Sequence, residues 1–274
     1  MAIRELAGGT ILFEIADRVA TITINRPDKR NALDPATRDA LGEAVLYVRD
    51  DRDIRALIIT GAGGAFSSGG DLASIGSAGL NGEGWRNRLG DLHRWLPILL
   101  TLDRPVITAV DGVAYGAGFG LALAGDFILA SPRARFSMSF LRVGGIPDYA
   151  SLYTLPRIVG PHRAREIMLS TRELSAEEAL ALGIVAEIHS EGALMDRAKA
   201  IAASFVDASP IAVSLIKRAT MAAPAADLNT MLELEANGQA LAFTDPAHKE
   251  AVAKFNAREP LPFRWPANGK PLQS

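Results

Sequence analysis

Two strand–glycine-turn–helix units constrain this chain more than any other feature. In the first, the β-rich run Ala56-Leu57-Ile58-Ile59-Thr60 precedes Phe66-Ser67-Ser68-Gly69-Gly70-Asp71. In the second, Pro105-Val106-Ile107-Thr108-Ala109-Val110 precedes Asp111-Gly112-Val113-Ala114-Tyr115-Gly116-Ala117-Gly118-Phe119-Gly120. Each turn leads into a segment predicted to be helical. Such a turn leaves main-chain N–H groups at the helix start without intrahelical partners. Two such units side by side aim two N–H donors at one carbonyl oxygen. That is an oxyanion hole, and it suits chemistry on a thioester or similar acyl group. The competing reading of the same glycines is tight-turn geometry alone.

The pattern around these units is α/β. Thr10–Ile15 and Val19–Ile24 predict a hairpin closed by Ala16-Asp17-Arg18. Asp34-Pro35 reads as an N-cap with proline at the first helical position. The helix after it runs to about Val48 and buries Leu41, Ala44, Val45 and Val48. Residues 74–90 are rich in Gly, Ser and Asn without a period, and read as a mobile segment. Leu89, Leu92, Leu96 and Leu99 mark one face of a helix kinked at Pro97. Asp126–Ala130 and Arg135–Met138 read as strands, and the run after Asp148 as helix. Beyond about Ser190, the runs Leu194–Val206, Pro210–Met221, Ala226–Ala242 and Pro246–Ala257 are all helical. The expected division is a catalytic body over 1–190 and a helical oligomerisation region over 191–274.

Composition excludes several classes. A chain of 274 residues with 49% hydrophobic content is long and apolar enough for a sizeable core. A formal net charge of −2 gives no electrostatic reason to expect nucleic acid. The absence of cysteine removes disulfide and thiolate chemistry and suits a reducing cytoplasm. No apolar run has the form of a signal peptide or reaches membrane-span length, so a soluble cytoplasmic protein is expected. Gly116-Ala117-Gly118 lacks the third glycine of a dinucleotide fingerprint, whose place is taken by Leu121. His93, His162, His189 and His248 are scattered without metal-ligand spacing.

Ordered blocks along nearly the whole chain resemble the crotonase superfamily, the enoyl-CoA hydratase/isomerase family. They are Ile24-Asn25-Arg26-Pro27 to Asn31-Ala32-Leu33, Ala65-Phe66 to Asp71-Leu72, and Arg104-Pro105-Val106 to Gly112. Leu155-Pro156-Arg157-Ile158-Val159-Gly160 and Leu174-Ser175-Ala176-Glu177-Glu178-Ala179 to Gly183-Ile184-Val185 continue the series. The resemblance implies a spiral of ββα units, a C-terminal helical trimerisation region and a homotrimer or homohexamer. It implies acyl-CoA substrates, with coenzyme A as part of the thioester and no tightly bound cofactor. It places the oxyanion donors on the N–H groups of Gly70 and Ala117, where relatives more often carry glycine at the second position. It puts the nucleotide near Arg26, Lys29 and Arg30 and the backbone of Ala65, Ser67 and Ser68. Phe255 and Arg258 match positions that reach a neighbouring subunit's CoA. A solvated basic loop and a packed helix face are the other reading of these residues.

The chain departs from the hydratases where their two glutamates stand, carrying Gly120 and Phe140. Neither residue carries a proton, so the water-adding mechanism is in doubt. Asp148, in Gly144-Gly145-Ile146-Pro147-Asp148-Tyr149, matches an acid used in proton transfer or nucleophilic attack in several crotonase branches. It is either that acid or an N-cap for the following helix. His93 is either a packed residue on an apolar helix face or the base of a dehalogenase-type pair with Asp148. Phe140 weakens the second reading, because it replaces a tryptophan whose N–H would hold the carboxylate. Asp71 is expected to brace its turn. Tyr115, Tyr149, Phe119 and Phe140 line an acyl pocket or belong to the core. The expected reaction is double-bond isomerisation through a thioester enolate with Asp148 moving the proton. The alternatives are hydrolytic aryl-CoA chemistry with Asp148 as nucleophile, and acyl-CoA binding without catalysis.

Overall fold

The computed structural model describes residues 3–267. Strands β1 (Ile3–Leu6), β2 (Ile11–Ala16), β3 (Val19–Ile24) and β4 (Ala56–Gly61) begin the main sheet. It continues through β5 (Val106–Val110), passes β6 (Val113–Tyr115), which lies in a second sheet, and resumes at β7 (Phe127–Ala130). After β8 (Arg135–Ser137) and β9 (Leu174–Ser175) come the two residues of β10 (Glu187–Ile188). The seven-stranded sheet has the order β1-β2-β3-β4-β5-β7-β10, and β6, β8 and β9 form a three-stranded sheet. Pairing is antiparallel from β1 to β3 and parallel from β3 to β10.

The helices between them are α1 (Pro35–Asp50), α2 (Leu72–Gly76), α3 (Gly82–His93), α4 (Leu96–Leu100) and α5 (Ala117–Ala122). Next come α6 (Ser151–Val159), α7 (Pro161–Ser170) and α8 (Ala176–Ala181). The chain closes with α9 (Glu191–Ser204), α10 (Pro210–Ala222), α11 (Leu228–Thr244) and α12 (Pro246–Ala257).

The continuous apolar runs of β4 and β5 make sense because both faces of these parallel strands are covered. Leu57, Ile59, Val106 and Val110 enter the core shared with α1. Their alternates Ala56, Ile58, Ile107 and Ala109 pack against Leu194, Ala198 and Ile201 of α9. The first helix of the all-helical stretch therefore closes the back of the main sheet. Asp34 caps α1 by accepting from Thr37 N–H at 2.8 Å, and Leu41, Ala44, Val45 and Val48 are buried.

Residues 74–90 differ from expectation. They carry the end of α2 and most of α3, which starts at an Asn81 side chain accepting from Gly84 N–H at 2.9 Å. The helix is polar and largely exposed, so it shows little apolar period. The Leu89–Leu99 stretch is two helices, because Pro97 sits in the first turn of α4 and starts it. Edge strand β1 and three-residue β6 also escape a reading by pattern, being mostly exposed and glycine-flanked respectively.

Asn31 ties the basic loop to the first glycine turn. Its buried amide donates to Ala62 O at 2.8 Å and Ala65 O at 2.6 Å, while its Oδ1 accepts from Arg26 N–H at 2.8 Å. Replacing Asn31 with alanine removes the partner of one buried carbonyl, one part-buried carbonyl and one part-buried N–H. Denaturant melts of Asn31→Ala are expected to show a loss of about 2–4 kcal/mol.

Candidate active site

The two glycine turns are joined through Ser67. Its N–H donates to Val113 O and its carbonyl accepts from Tyr115 N–H, both at 2.9 Å. Its hydroxyl donates to Asn31 O at 2.8 Å and accepts from Gly69 N–H at 3.1 Å. The approach is closest at Gly69, whose φ is +94°; a Cβ there would lie 2.6 Å from Tyr115 O and 3.3 Å from Ala117 N. Gly116, at φ 50°, turns the chain into α5, so Ala117 begins the helix outside the left-handed region and tolerates its methyl group. The backbone flanking Gly70 is held by Leu33, which donates to Gly69 O at 2.8 Å and accepts from Asp71 N–H at 3.2 Å. Among the described residues, neither Gly70 N–H nor Ala117 N–H donates to a protein acceptor.

Asp71 braces the first turn, as expected. It caps α2 by accepting from Ser74 N–H at 3.1 Å and pairs with Arg26 at 3.1 Å. The Ser74 N–H bond, helped by Arg26, holds its pKa below the ordinary range. Arg26 also pairs with Asp34 at 3.1 Å and donates to Ala32 O at 2.5 Å. Its guanidinium is thus a strut between the loop and the first glycine turn. Lys29 and Arg30 remain as the exposed cations of the loop. Ser68 N–H donates to Arg30 O at 2.8 Å, and its hydroxyl to Lys29 O at 3.3 Å. The main-chain N–H and carbonyl of Ser67 and the carbonyl of Ala65 are likewise engaged inside the turn.

Asp148 lies directly against α5. A Cβ on Gly120 would sit 2.6 Å from Tyr149 Cβ and 3.2 Å from Asp148 O. The helix that begins at Ala117 therefore carries the acid's backbone one turn further along. Tyr149 and Ala150 both adopt left-handed φ values, 49° and 57°, which non-glycine residues take only under constraint. The N-cap reading of Asp148 is overturned, because α6 starts from Ala150 without a side-chain cap. The Asp148 Oδ1 is instead buried without a hydrogen-bond partner, as is the Tyr149 hydroxyl. Burial pushes the Asp148 pKa up to about 6, against a partial opposing pull from Arg38 and Arg88. Burial, and then Asp148 itself, push the Tyr149 hydroxyl well above its usual range.

The remaining candidates separate. His93 ends α3 and is exposed, a correction to its expected place on an apolar face; the charges acting on Asp148 are Arg38 and Arg88. Phe255 is 70% exposed on α12, and Arg258 just beyond it is exposed too. Phe119 is core, against Phe136 at 5.2 Å. Phe140 is half-buried beside Gly116, and Tyr115 donates its hydroxyl to Glu173 at 2.6 Å. The described residues contain no cluster of three or more His, Cys, Asp or Glu suited to a metal ion. No helix among them is long and apolar enough to cross a membrane. Sequence reasoning missed Arg38 and Arg88. Arg38 had a signal: it falls on the apolar stripe of α1, ahead of Leu41, Val45 and Val48.

The chain is similar to known proteins along most of its length. The family model described as enoyl-CoA hydratase/isomerase matches residues 14–266. A carnitinyl-CoA dehydratase of Salmonella enteritidis is 39% identical over 220 residues, covering 75% of this chain and 79% of that protein. A 1,2-epoxyphenylacetyl-CoA isomerase of Escherichia coli is 36% identical over 261 residues, covering 92% and 97%. A crystal structure of an enoyl-CoA hydratase/isomerase from Cupriavidus metallidurans superposes with a TM-score of 0.91 at 43% identity, covering 97% of this chain and 100% of that one.

Two outcomes test the site's construction. Gly120→Glu should destabilise the fold by about 1–3 kcal/mol in denaturant melts, because its Cβ collides with Tyr149. Folded Asp148 keeps its proton to about pH 6, against 3.8 for the ordinary carboxyl. Its stabilising contribution is complete below the lower value and is lost as pH rises through the upper one. Asp148→Asn should therefore raise stability on the order of 1–3 kcal/mol more at pH 8 than at pH 4, read from paired melts.

Proposed function

The chain belongs to the enoyl-CoA hydratase/isomerase family, and on that premise we propose that it binds an acyl-CoA with the thioester carbonyl between the N–H groups of Gly70 and Ala117. Proton loss at Cα or Cγ turns the thioester into an enolate, whose charge develops on that oxygen. Each fixed N–H donor in such a hole contributes about 2.7–4 kcal/mol to the transition state. The observation that carries the reading is the buried, unpartnered Oδ1 of Asp148, packed on the helix that begins with one of the free donors. Asp148 takes the proton from one carbon and returns it to another, a double-bond isomerisation. A carboxyl titrating near 6 is ionised at neutral pH yet basic enough for that exchange.

Hydration requires a second group to position water, and neither of the two positions where the hydratases carry glutamate supplies one here. A Cβ on Gly120 would collide with the Tyr149 Cβ at 2.6 Å, and Phe140 has no proton to give. The name of one relative, an isomerase, matches this reading, whereas the other is a dehydratase, which removes water, the reverse of a hydration. Lys29 and Arg30 provide exposed charge for the phosphates of CoA. Exposed apolar side chains on α11 and α12, among them Leu232, Leu241, Phe243 and Phe255, support a subunit interface in a homotrimer or homohexamer. In that assembly Phe255 and Arg258 reach a neighbouring subunit's CoA.

Asp148→Asn should lower turnover roughly 10²–10⁴-fold on the responsive member of an enoyl-CoA panel. The parent should incorporate solvent deuterium, and its kcat/KM should rise with pH through about 6. Full activity in the Asn variant overturns the role of Asp148. Affinity for thioesters without turnover by the parent marks a binder instead.

A further inference from the structure

Buried arginines in this protein are otherwise well supplied with acceptors. Arg104 donates to the carbonyls of Val48 and Asp51 at 2.7 Å and Ile54 at 2.9 Å. Arg197 grips both oxygens of Glu187 at 2.7 Å. Arg38 is the exception. It is 8% exposed, and its Nε is sequestered without a partner. Its ion-pair contact is Asp39 at 3.9 Å, whose side chain is 68% exposed. A desolvated guanidinium held this loosely opposes folding unless something else completes it.

The position of Arg38 says what that something is. Arg38 and Gly42 lie one turn apart on the same face of α1. Gly42 lies under the Trp95 ring, close enough that a Cβ would be 2.5 Å from Cδ1. Trp95 meets Tyr149 edge-on, with ring centroids 6.1 Å apart. This face of α1 thus leads to the Asp148–Tyr149 corner. Arg88 of α3 is half-buried with its guanidinium 5.4 Å from the Trp85 ring of its own helix, close enough to feel the charges of Arg38 and Asp148, and makes no ion pair among the described residues. The two arginines repel each other, and both act on Asp148. Asp148 does not complete Arg38, since each keeps a buried atom without a partner.

We propose that Arg38 and Arg88 form an anion subsite for the far end of the acyl group, so that the substrate is an acyl-CoA carrying a second carboxylate. This rests on the acyl-CoA reading above. The CoA phosphates are assigned to Lys29 and Arg30, on the loop bound to the first glycine turn, whereas this subsite adjoins the acid that works on the acyl carbons. A carboxylate there satisfies both guanidinium groups and offsets their mutual repulsion.

Calorimetric titration with saturated, unreactive thioesters tests the assignment: butyryl-CoA against glutaryl-CoA, and hexanoyl-CoA against adipyl-CoA. The parent should prefer at least one carboxylated member of a pair by roughly 10- to 100-fold, the equivalent of charge-assisted hydrogen bonding. Arg38→Gln should collapse that ratio toward unity, chiefly by weakening the carboxylated ligand, and Arg38→Lys should keep part of it. Arg88→Gln, at a half-exposed position, should reduce the ratio too and serves if Arg38→Gln does not fold. An Arg38 that acts only through Asp148 alters turnover and leaves the binding ratio unchanged, which overturns the proposal. So does a parent that binds butyryl-CoA with no preference in either pair, while the acyl-CoA reading survives. Binding of none of the four thioesters overturns both.

Discussion

The hydrogen bonds that Ser67 makes to both sides are the constraint on which the site depends. Its backbone stitches the first glycine turn to β6, and its hydroxyl reaches back to Asn31 and forward to Gly69. An oxyanion hole works only if its donors are fixed before charge develops, because donors that must reorganise return much of the stabilisation. Gly70 and Ala117 are far apart in the chain. A side-chain-free Gly69 and the Ser67 bridge bring their turns to van der Waals distance. Arg26, Asp34 and Asp71 then clamp the outside of the same corner.

Three of the six buried side-chain atoms without a partner among the described residues gather at one place. Arg38 Nε, Asp148 Oδ1 and Tyr149 hydroxyl are buried without partners in one neighbourhood, and the backbone of Tyr149 and Ala150 is left-handed beside them. Each feature opposes folding by itself. Local rules broken together at one corner, while the two-faced core of β4 and β5 obeys them, mark a place shaped for a ligand.

The glycine at position 120 is more than a missing glutamate. Tyr149 occupies the space that any side chain there would need, and Tyr149 in turn packs on Trp95. The corner is packed through Gly120, Tyr149 and Trp95. Restoring a glutamate would collide with that packing, so the difference from a two-acid site is built into the fold.

Much of this architecture was legible in the residues. The hairpin at Ala16-Asp17-Arg18, the Asp34-Pro35 helix start, the buried runs of β4 and β5 and the late helices all follow from period, caps and glycine. These signals act within a turn or two of the chain, so a linear reading captures them. The resemblance of ordered blocks carried the family. Helix α3 was hidden because an exposed polar helix has no apolar stripe. The place of His93 was misjudged because it depends on where Pro97 ends one helix and starts another. That Asp148 keeps a buried oxygen without a partner rather than capping a helix, that Arg26 is a strut, and that the Arg38 Nε is buried without a hydrogen bond were decided by tertiary structure alone. Burial and charge partnership come from strands and helices distant in sequence, and no local pattern encodes which of them will meet.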